Sequence, residues 1–98
     1  KSCHLINPQV GPRLRLTTIL TDAPLPPDQP IPNRCGSCTR CRDACPPHAI
    51  YGVSFQPQDP ASERFDKEAC NNFLEDLATV FGKHTCAKCL AVCPWGSK

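Results

Sequence analysis

The chain contains no methionine, and aromatic residues make up only 6% of its 98 residues. Its uncharged stretches are far shorter than the roughly 18 apolar residues of a membrane-spanning helix, which predicts a protein that is not integral to a membrane. Residues 1–8, KSCHLINP, lack the apolar core of a secretory signal. Because the chain does not begin with methionine, we expect a fragment or a processed product.

Charge is also scarce. The formal net charge is +2, which is too small to predict direct nucleic-acid binding from electrostatics. No Ser-His-Asp set, paired acid or phosphate-binding loop is present, so we expect no bond-making chemistry from these residues. Chains of this length bury a small share of their surface and commonly depend on disulfides, metals or a partner.

Proline is abundant, with 12 residues against an average usage of about 5%. Five of them fall in residues 24–33, PLPPDQPIPN, which predicts an extended linker with little backbone pairing. Residues 12–22, PRLRLTTILTD, alternate polar and apolar side chains, the pattern of a half-buried strand. The sequence therefore predicts an N-terminal strand and proline arm ahead of a cysteine-rich region.

One stretch has helical periodicity. In RFDKEACNNFLEDLATVFG, apolar residues recur every four positions and Gly82 follows as a stop signal. This pattern predicts one longer helix near residues 66–81. Cys70 lies on its apolar side, where a small buried residue is the simple interpretation.

Nine cysteines are the dominant feature. Because the number of cysteines is odd, and cysteines with only two residues between them cannot easily pair with one another, the sequence does not favour a disulfide framework. Zinc sites usually take two Cys-x-x-Cys pairs separated by a longer loop. Here Cys35, Cys38, Cys41 and Cys45 precede Pro46, a spacing typical of bacterial iron-sulfur proteins, in which the fourth cysteine of the run ligates the other of two clusters.

A second run, Cys86, Cys89 and Cys93 before Pro94, has Lys83 where its first cysteine should stand. By the crossing rule, Cys93 completes cluster one and Cys45 joins cluster two. Cluster two then lacks one ligand, for which Cys70 and Cys3 remain. We favour Cys70, because the apolar face of its helix must pack on the same core, and we expect Cys3 to be a buried free thiol. The predicted sets are Cys35, Cys38, Cys41 and Cys93 for cluster one, and Cys45, Cys70, Cys86 and Cys89 for cluster two.

Nearly the whole chain resembles one protein family. INPQVGPRLRLTTILTDAPLPPDQPIPNRCGSCTRCRDACPPHAI, RFDKEAC and CAKCLAVCPW are similar to the C-terminal region of epoxyqueuosine reductases and of their relatives, the cobalamin-dependent reductive dehalogenases. The resemblance implies that residues 1–33 are the tail of an upstream nitroreductase-like domain plus a linker, and that residues 34–98 are a ferredoxin-type domain. It also implies that an upstream cysteine supplies the displaced ligand, as Cys70 does here.

The predicted fold is α+β, a small two-cluster bacterial-type ferredoxin-like domain with short helices after the cysteine runs. The predicted function is electron transfer through two 4Fe-4S clusters within an oxidoreductase whose larger domain binds cobalamin, as the resemblance implies. Expected partners are that upstream domain and a low-potential donor such as a ferredoxin, flavodoxin or flavoprotein, in the cytoplasm. The alternatives are a free-standing ferredoxin shuttle and a structural module held by iron-sulfur or zinc.

Overall fold

A computed structural model describes residues 1–95, so the last three residues of the predicted 34–98 domain lie outside the described part of the chain. The regular elements in this part are helical. They are α1 (Arg40–Asp43), a 3₁₀ turn (Ala61–Glu63), α2 (Lys67–Phe81) and α3 (Lys88–Ala91). None of the helices in residues 1–95 is long and apolar enough to cross a membrane.

Helix α2 confirms the predicted long helix. The carboxylate of Asp66 caps its first turn by accepting a 2.8 Å hydrogen bond from the Ala69 N–H. Gly82 ends it with a φ of 69°, in the left-handed region, and donates its N–H to the Ala78 carbonyl. The capping residue and the stop glycine that bound the periodic stretch therefore act at the two ends of the helix.

The strand predicted over residues 12–22 is not formed. These residues have no ladder partner within residues 1–95, and Leu16, Ile19 and Leu20 are 73%, 82% and 93% exposed. A strand is stable only when a neighbouring strand and an apolar surface cover it, and alternation alone provides neither. The β-type backbone pairing in residues 1–95 consists of two isolated bridges, Asn7–Gly11 and Ile50–Phe65. The β part of the predicted α+β fold is therefore not seen in these residues.

The two short helices belong to an internal repeat. Residues 38–46 and 86–94 share the pattern C-x-x-C-x-x-x-C-P, and α1 and α3 occupy the same place in each copy. The short helices were predicted to follow the cysteine runs, but they lie within them, because each one begins just before the second cysteine of its copy and ends before the third. Helix α1 packs against α3 and so brings the two cysteine runs side by side.

The apolar core is very small. In the described chain it consists of Cys45, Ala49 and Ile50, which are 8%, 0% and 3% exposed. Other cysteines and α2 residues are packed against it, namely Cys41, Phe65, Ala69, Cys70 and Cys89. The core therefore lies among the candidate ligands, as expected of a chain that folds around a bound group.

Candidate metal centres

Two cavities are each lined by four cysteines, and the larger of them contains the four ligands predicted for cluster two. Its volume is about 330 Å³, and Cys45, Cys70, Cys86 and Cys89 line it. Apolar side chains complete its wall, including Ile50, Phe65, Phe73 and Leu74. We call it the Cys70 cavity.

The bridge between Ile50 and Phe65 places Cys70 at this cavity. The Tyr51 N–H donates to the Arg64 carbonyl at 3.1 Å, and the Asp66 N–H donates to the Ala49 carbonyl at 2.8 Å. These bonds fix the start of α2 beside the loop that follows Cys45. Cys70 lies in the first turn of the helix, where it lines the cavity together with Cys86 and Cys89 of the incomplete second run.

The second cavity contains the four ligands predicted for cluster one. Cys35, Cys38, Cys41 and Cys93 line it, and its volume is about 20 Å³. This volume is smaller than that of the Cys70 cavity, so the side chains around it must rearrange to admit a cluster. We call it the Cys93 cavity. Trp95 forms part of its wall, and the Arg34 guanidinium lies 5.3 Å from the centre of the indole ring.

Burial favours the protonated form of several of these thiols. Loss of hydration raises the pKa of Cys70 and of Cys89, and the nearby thiols of Cys45 and Cys86 raise both further. Burial likewise raises the pKa of Cys41, next to Cys35. A thiolate is therefore unfavourable in either cavity until a cationic metal compensates it, and metal binding must release protons.

The N-terminal segment, residues 1–6, contributes to the walls of both cavities. The Lys1 Nζ donates to the carbonyls of Gly36 and Cys38 at 2.5 and 3.3 Å, beside the Cys93 cavity. Ser2 is 8% exposed and lines both cavities, so the two share a wall. His4 lines the Cys70 cavity, and its Nε2 lies 3.4 Å from the Cys89 Sγ.

Arg13 binds the backbone of the second cysteine run. Its guanidinium donates to the carbonyls of Ala91, Cys93 and Trp95, each at 3.0 Å. These bonds hold the end of α3 and the loop that presents the Cys93 thiol. Sequence patterns gave no signal for the roles of Arg13 or His4, since both contacts join residues about eighty positions apart.

Cys3 lies apart from both sets. It is half-buried and lines neither cysteine cavity, but it borders a third cavity together with Cys35. Its Sγ lies 3.9 Å from an Arg64 guanidinium nitrogen, and its φ of 60° is in the left-handed region. All nine cysteines are free thiols.

The donor set of each cavity fits a 4Fe-4S cluster. Four thiolates hold such a cluster, and each binds a different iron. In agreement with spread-out thiols, no three His, Cys, Asp or Glu side chains of residues 1–95 are grouped to hold a single metal ion. The eight cysteines thus fall into the two sets predicted from the sequence, while their ligation of iron stays a prediction.

Comparison with known proteins identifies the cysteine-rich region. Residues 34–96 match the family model described as a 4Fe-4S double cluster binding domain. The chain is 34% identical to an epoxyqueuosine reductase of Bacillus anthracis and 31% identical to that of Bacillus subtilis, each over 96% of its length. It is also 34% identical to a tetrachloroethene reductive dehalogenase of Desulfitobacterium hafniense, over 93% of its length.

These relatives are much longer proteins. The chain spans 25% of the two epoxyqueuosine reductases and 18% of the dehalogenase. No solved structure matches it. The comparison therefore concerns one region of each relative.

Proposed function

The chain belongs to the 4Fe-4S double cluster binding domain family, and on that premise we propose that it is an electron-transfer module holding two such clusters. The observation that carries the proposal is the pair of cavities with a shared wall, each lined by one predicted set of four cysteines. A bound 4Fe-4S cluster accepts and releases one electron at a time. The protein holds the clusters, keeps them close together and limits their contact with water.

The residues around each cavity support this role. The thiols of Cys45, Cys70, Cys86 and Cys89 face one space, and the apolar side chains around them exclude water. Trp95 forms part of the wall of the Cys93 cavity, and the Arg34 guanidinium lies over its ring. Because hydration and hydrogen bonding set the potential of a cluster, these walls are the means by which the protein adjusts it.

The parent protein is proposed to be an oxidoreductase of the epoxyqueuosine reductase or reductive dehalogenase type. Sequence similarity over nearly the whole chain supports this, as does the small share of each relative that the chain spans. The electrons would then serve a catalytic domain upstream in the same parent chain, where cobalamin is the proposed acceptor. A low-potential ferredoxin, flavodoxin or flavoprotein is the proposed donor, in the cytoplasm. Corrinoid extraction from the purified full-length protein tests the cobalamin assignment directly.

Anaerobic iron and sulfide analysis tests the cluster assignment. We expect about eight irons and eight sulfides per chain, the content of two 4Fe-4S clusters. Cys70→Ser should lose or alter cluster two alone, and Cys93→Ser cluster one alone. Cys3→Ser is the matched control and should leave both clusters intact. Two zinc ions without sulfide would contradict the proposal in favour of the structural zinc alternative.

Redox titration then separates electron transfer from a structural role. We expect both clusters to be reduced reversibly by one electron each. Clusters that stay oxidised at every accessible potential would indicate that iron and sulfide only hold the fold. If the reduced clusters pass electrons within the full-length protein but not to unrelated acceptor proteins, the domain is an internal module and not a free-standing shuttle.

A further inference from the structure

His4 makes a side-chain contact with a candidate ligand sulfur. Its Nε2 lies 3.4 Å from the Sγ of Cys89, within the range of a hydrogen bond to sulfur. A thiolate bound to iron has no proton and can only accept. With a cluster in the Cys70 cavity, the imidazole must therefore be the donor, and its Nε2 must carry the hydrogen.

We propose that His4 is a positioning residue that donates an N–H···S hydrogen bond to Cys89 and raises the reduction potential of cluster two. This inference rests on the proposed ligand assignment. Reduction adds one negative charge, part of which the ligand sulfurs carry. A donor directed at one of these sulfurs stabilises the reduced cluster more than the oxidised one, and the potential rises.

The effect should be confined to one cluster, since the two copies of the repeat differ at this point. Cys41 holds the place in the first copy that Cys89 holds in the second. No side chain of residues 1–95 donates a hydrogen bond to the Cys41 Sγ, whereas His4 reaches Cys89 from the other end of the chain. A candidate ligand of cluster one has a different neighbour, the Lys1 amino group, which lies 3.5 Å from the Cys35 Sγ, so a change at His4 should act on cluster two.

His84 provides a matched control within the same cavity. It also lines the Cys70 cavity, but its Nε2 lies 2.9 Å from the Glu75 Oε2. Replacing His84 removes an imidazole from the neighbourhood of cluster two without removing a contact to sulfur. Any difference between the His4 and His84 variants therefore reports the N–H···S bond and not the general loss of a histidine.

The test is an anaerobic redox titration of the cluster-loaded protein, followed by electron paramagnetic resonance. The signal of cluster two is assigned as the one that Cys70→Ser alters. We expect His4→Phe to lower the potential of cluster two and leave that of cluster one unchanged. His4→Gln, which keeps an N–H donor, should recover part of the shift, and His84→Gln should match the wild type.

Equal potentials in His4→Phe and wild type would overturn the proposal, as would equal shifts of both clusters. If His4→Phe does not load cluster two, pulsed resonance on ¹⁵N-histidine-labelled wild type decides. A nitrogen coupling on cluster two that His84→Gln retains and His4→Gln removes supports the bond, and its absence from the wild type refutes it. Fewer than eight irons in the wild type would count against the two-cluster function itself, whereas eight irons with unmoved potentials would count only against His4.

Discussion

We expect the N-cap of α2 to set how firmly Cys70, a proposed ligand of cluster two, is held, and Asp66→Ala tests this. The substitution removes the 2.8 Å bond from the Ala69 N–H but leaves the Asp66 N–H bond to Ala49, since that bond is made by the backbone. Loss of a cap costs about 1 kcal/mol, and loss of a carboxylate near the helix N-terminus about 0.5 kcal/mol more. We therefore expect a total loss of about 1.5 kcal/mol.

Urea unfolding of the cluster-loaded protein, followed by circular dichroism under anaerobic conditions, measures this loss. With a slope of about 1–3 kcal/mol per molar urea for small proteins, the midpoint should fall by about 0.5–1.5 M. Asp66→Asn keeps a capping oxygen and should lose less than half as much. Asp76→Ala, on the exposed face of the same helix, is the matched control and should move the midpoint little.

Because Cys70 lies in the capped turn, the same variant should also release iron from cluster two sooner than from cluster one. The rates of iron loss to a chelator, resolved by the spectra of the two clusters, measure this order. An Asp66→Ala protein with an unchanged midpoint and unchanged rates of iron loss would refute the claim that the cap holds this ligand in place.

Three further predictions concern the loops and the thiols. Arg13→Ala should lower the free energy of unfolding by about 1–2 kcal/mol, because it removes the donor to three carbonyls around Cys93. It should also broaden the electron paramagnetic resonance signal of cluster one, whereas the control Arg15→Ala should not. Gly82→Ala should lower the free energy of unfolding by about 1 kcal/mol, because φ at this position is 69°, which strains any residue with a Cβ. The strain is in the backbone alone, since an added Cβ would meet nothing within 4 Å, and urea unfolding measures the loss. In metal-free protein, burial raises the pKa of Cys70, so the pH midpoint of its alkylation should be higher than in the denatured chain. The contribution of the protonated thiol to the free energy of unfolding should be lost as pH rises through the raised pKa. Equal midpoints in both states would contradict that pKa direction.

Local signals in the sequence were sufficient for α2. The periodic apolar positions, the aspartate before them and the glycine after them all act within a few residues of one another, and the structure places the helix at Lys67–Phe81. The grouping of the eight cysteines was also predictable, because their spacing confines each run to a tight loop. The place of Cys70 beside Cys45, Cys86 and Cys89 was predicted from the helix face on which it lies.

Features that depend on distant contacts could not be predicted. Alternation over residues 12–22 describes a strand that would be stable beside a partner, and none is present in residues 1–95. The contacts of His4 and Arg13 join the two ends of the chain, and neither residue belongs to a periodic pattern. The short helices were misplaced because a turn of four residues, such as Arg40–Asp43, carries no periodicity of its own.

The proposed ligand assignment gives cluster two a structural consequence that cluster one lacks. If the second run were complete, three of the four ligands of cluster two would come from one short loop. With Cys70 as the proposed ligand in place of a cysteine at position 83, the four ligands would come from the loop at Cys45, helix α2 and the run from Cys86. In a chain with three buried apolar core residues in its described part, such a site links segments that little else holds together, and it restricts the unfolded chain more than a site within one loop does. Loss of cluster two should therefore weaken the packing of α2 on the core, whereas loss of cluster one should mainly loosen the loops around Cys38 and Cys93.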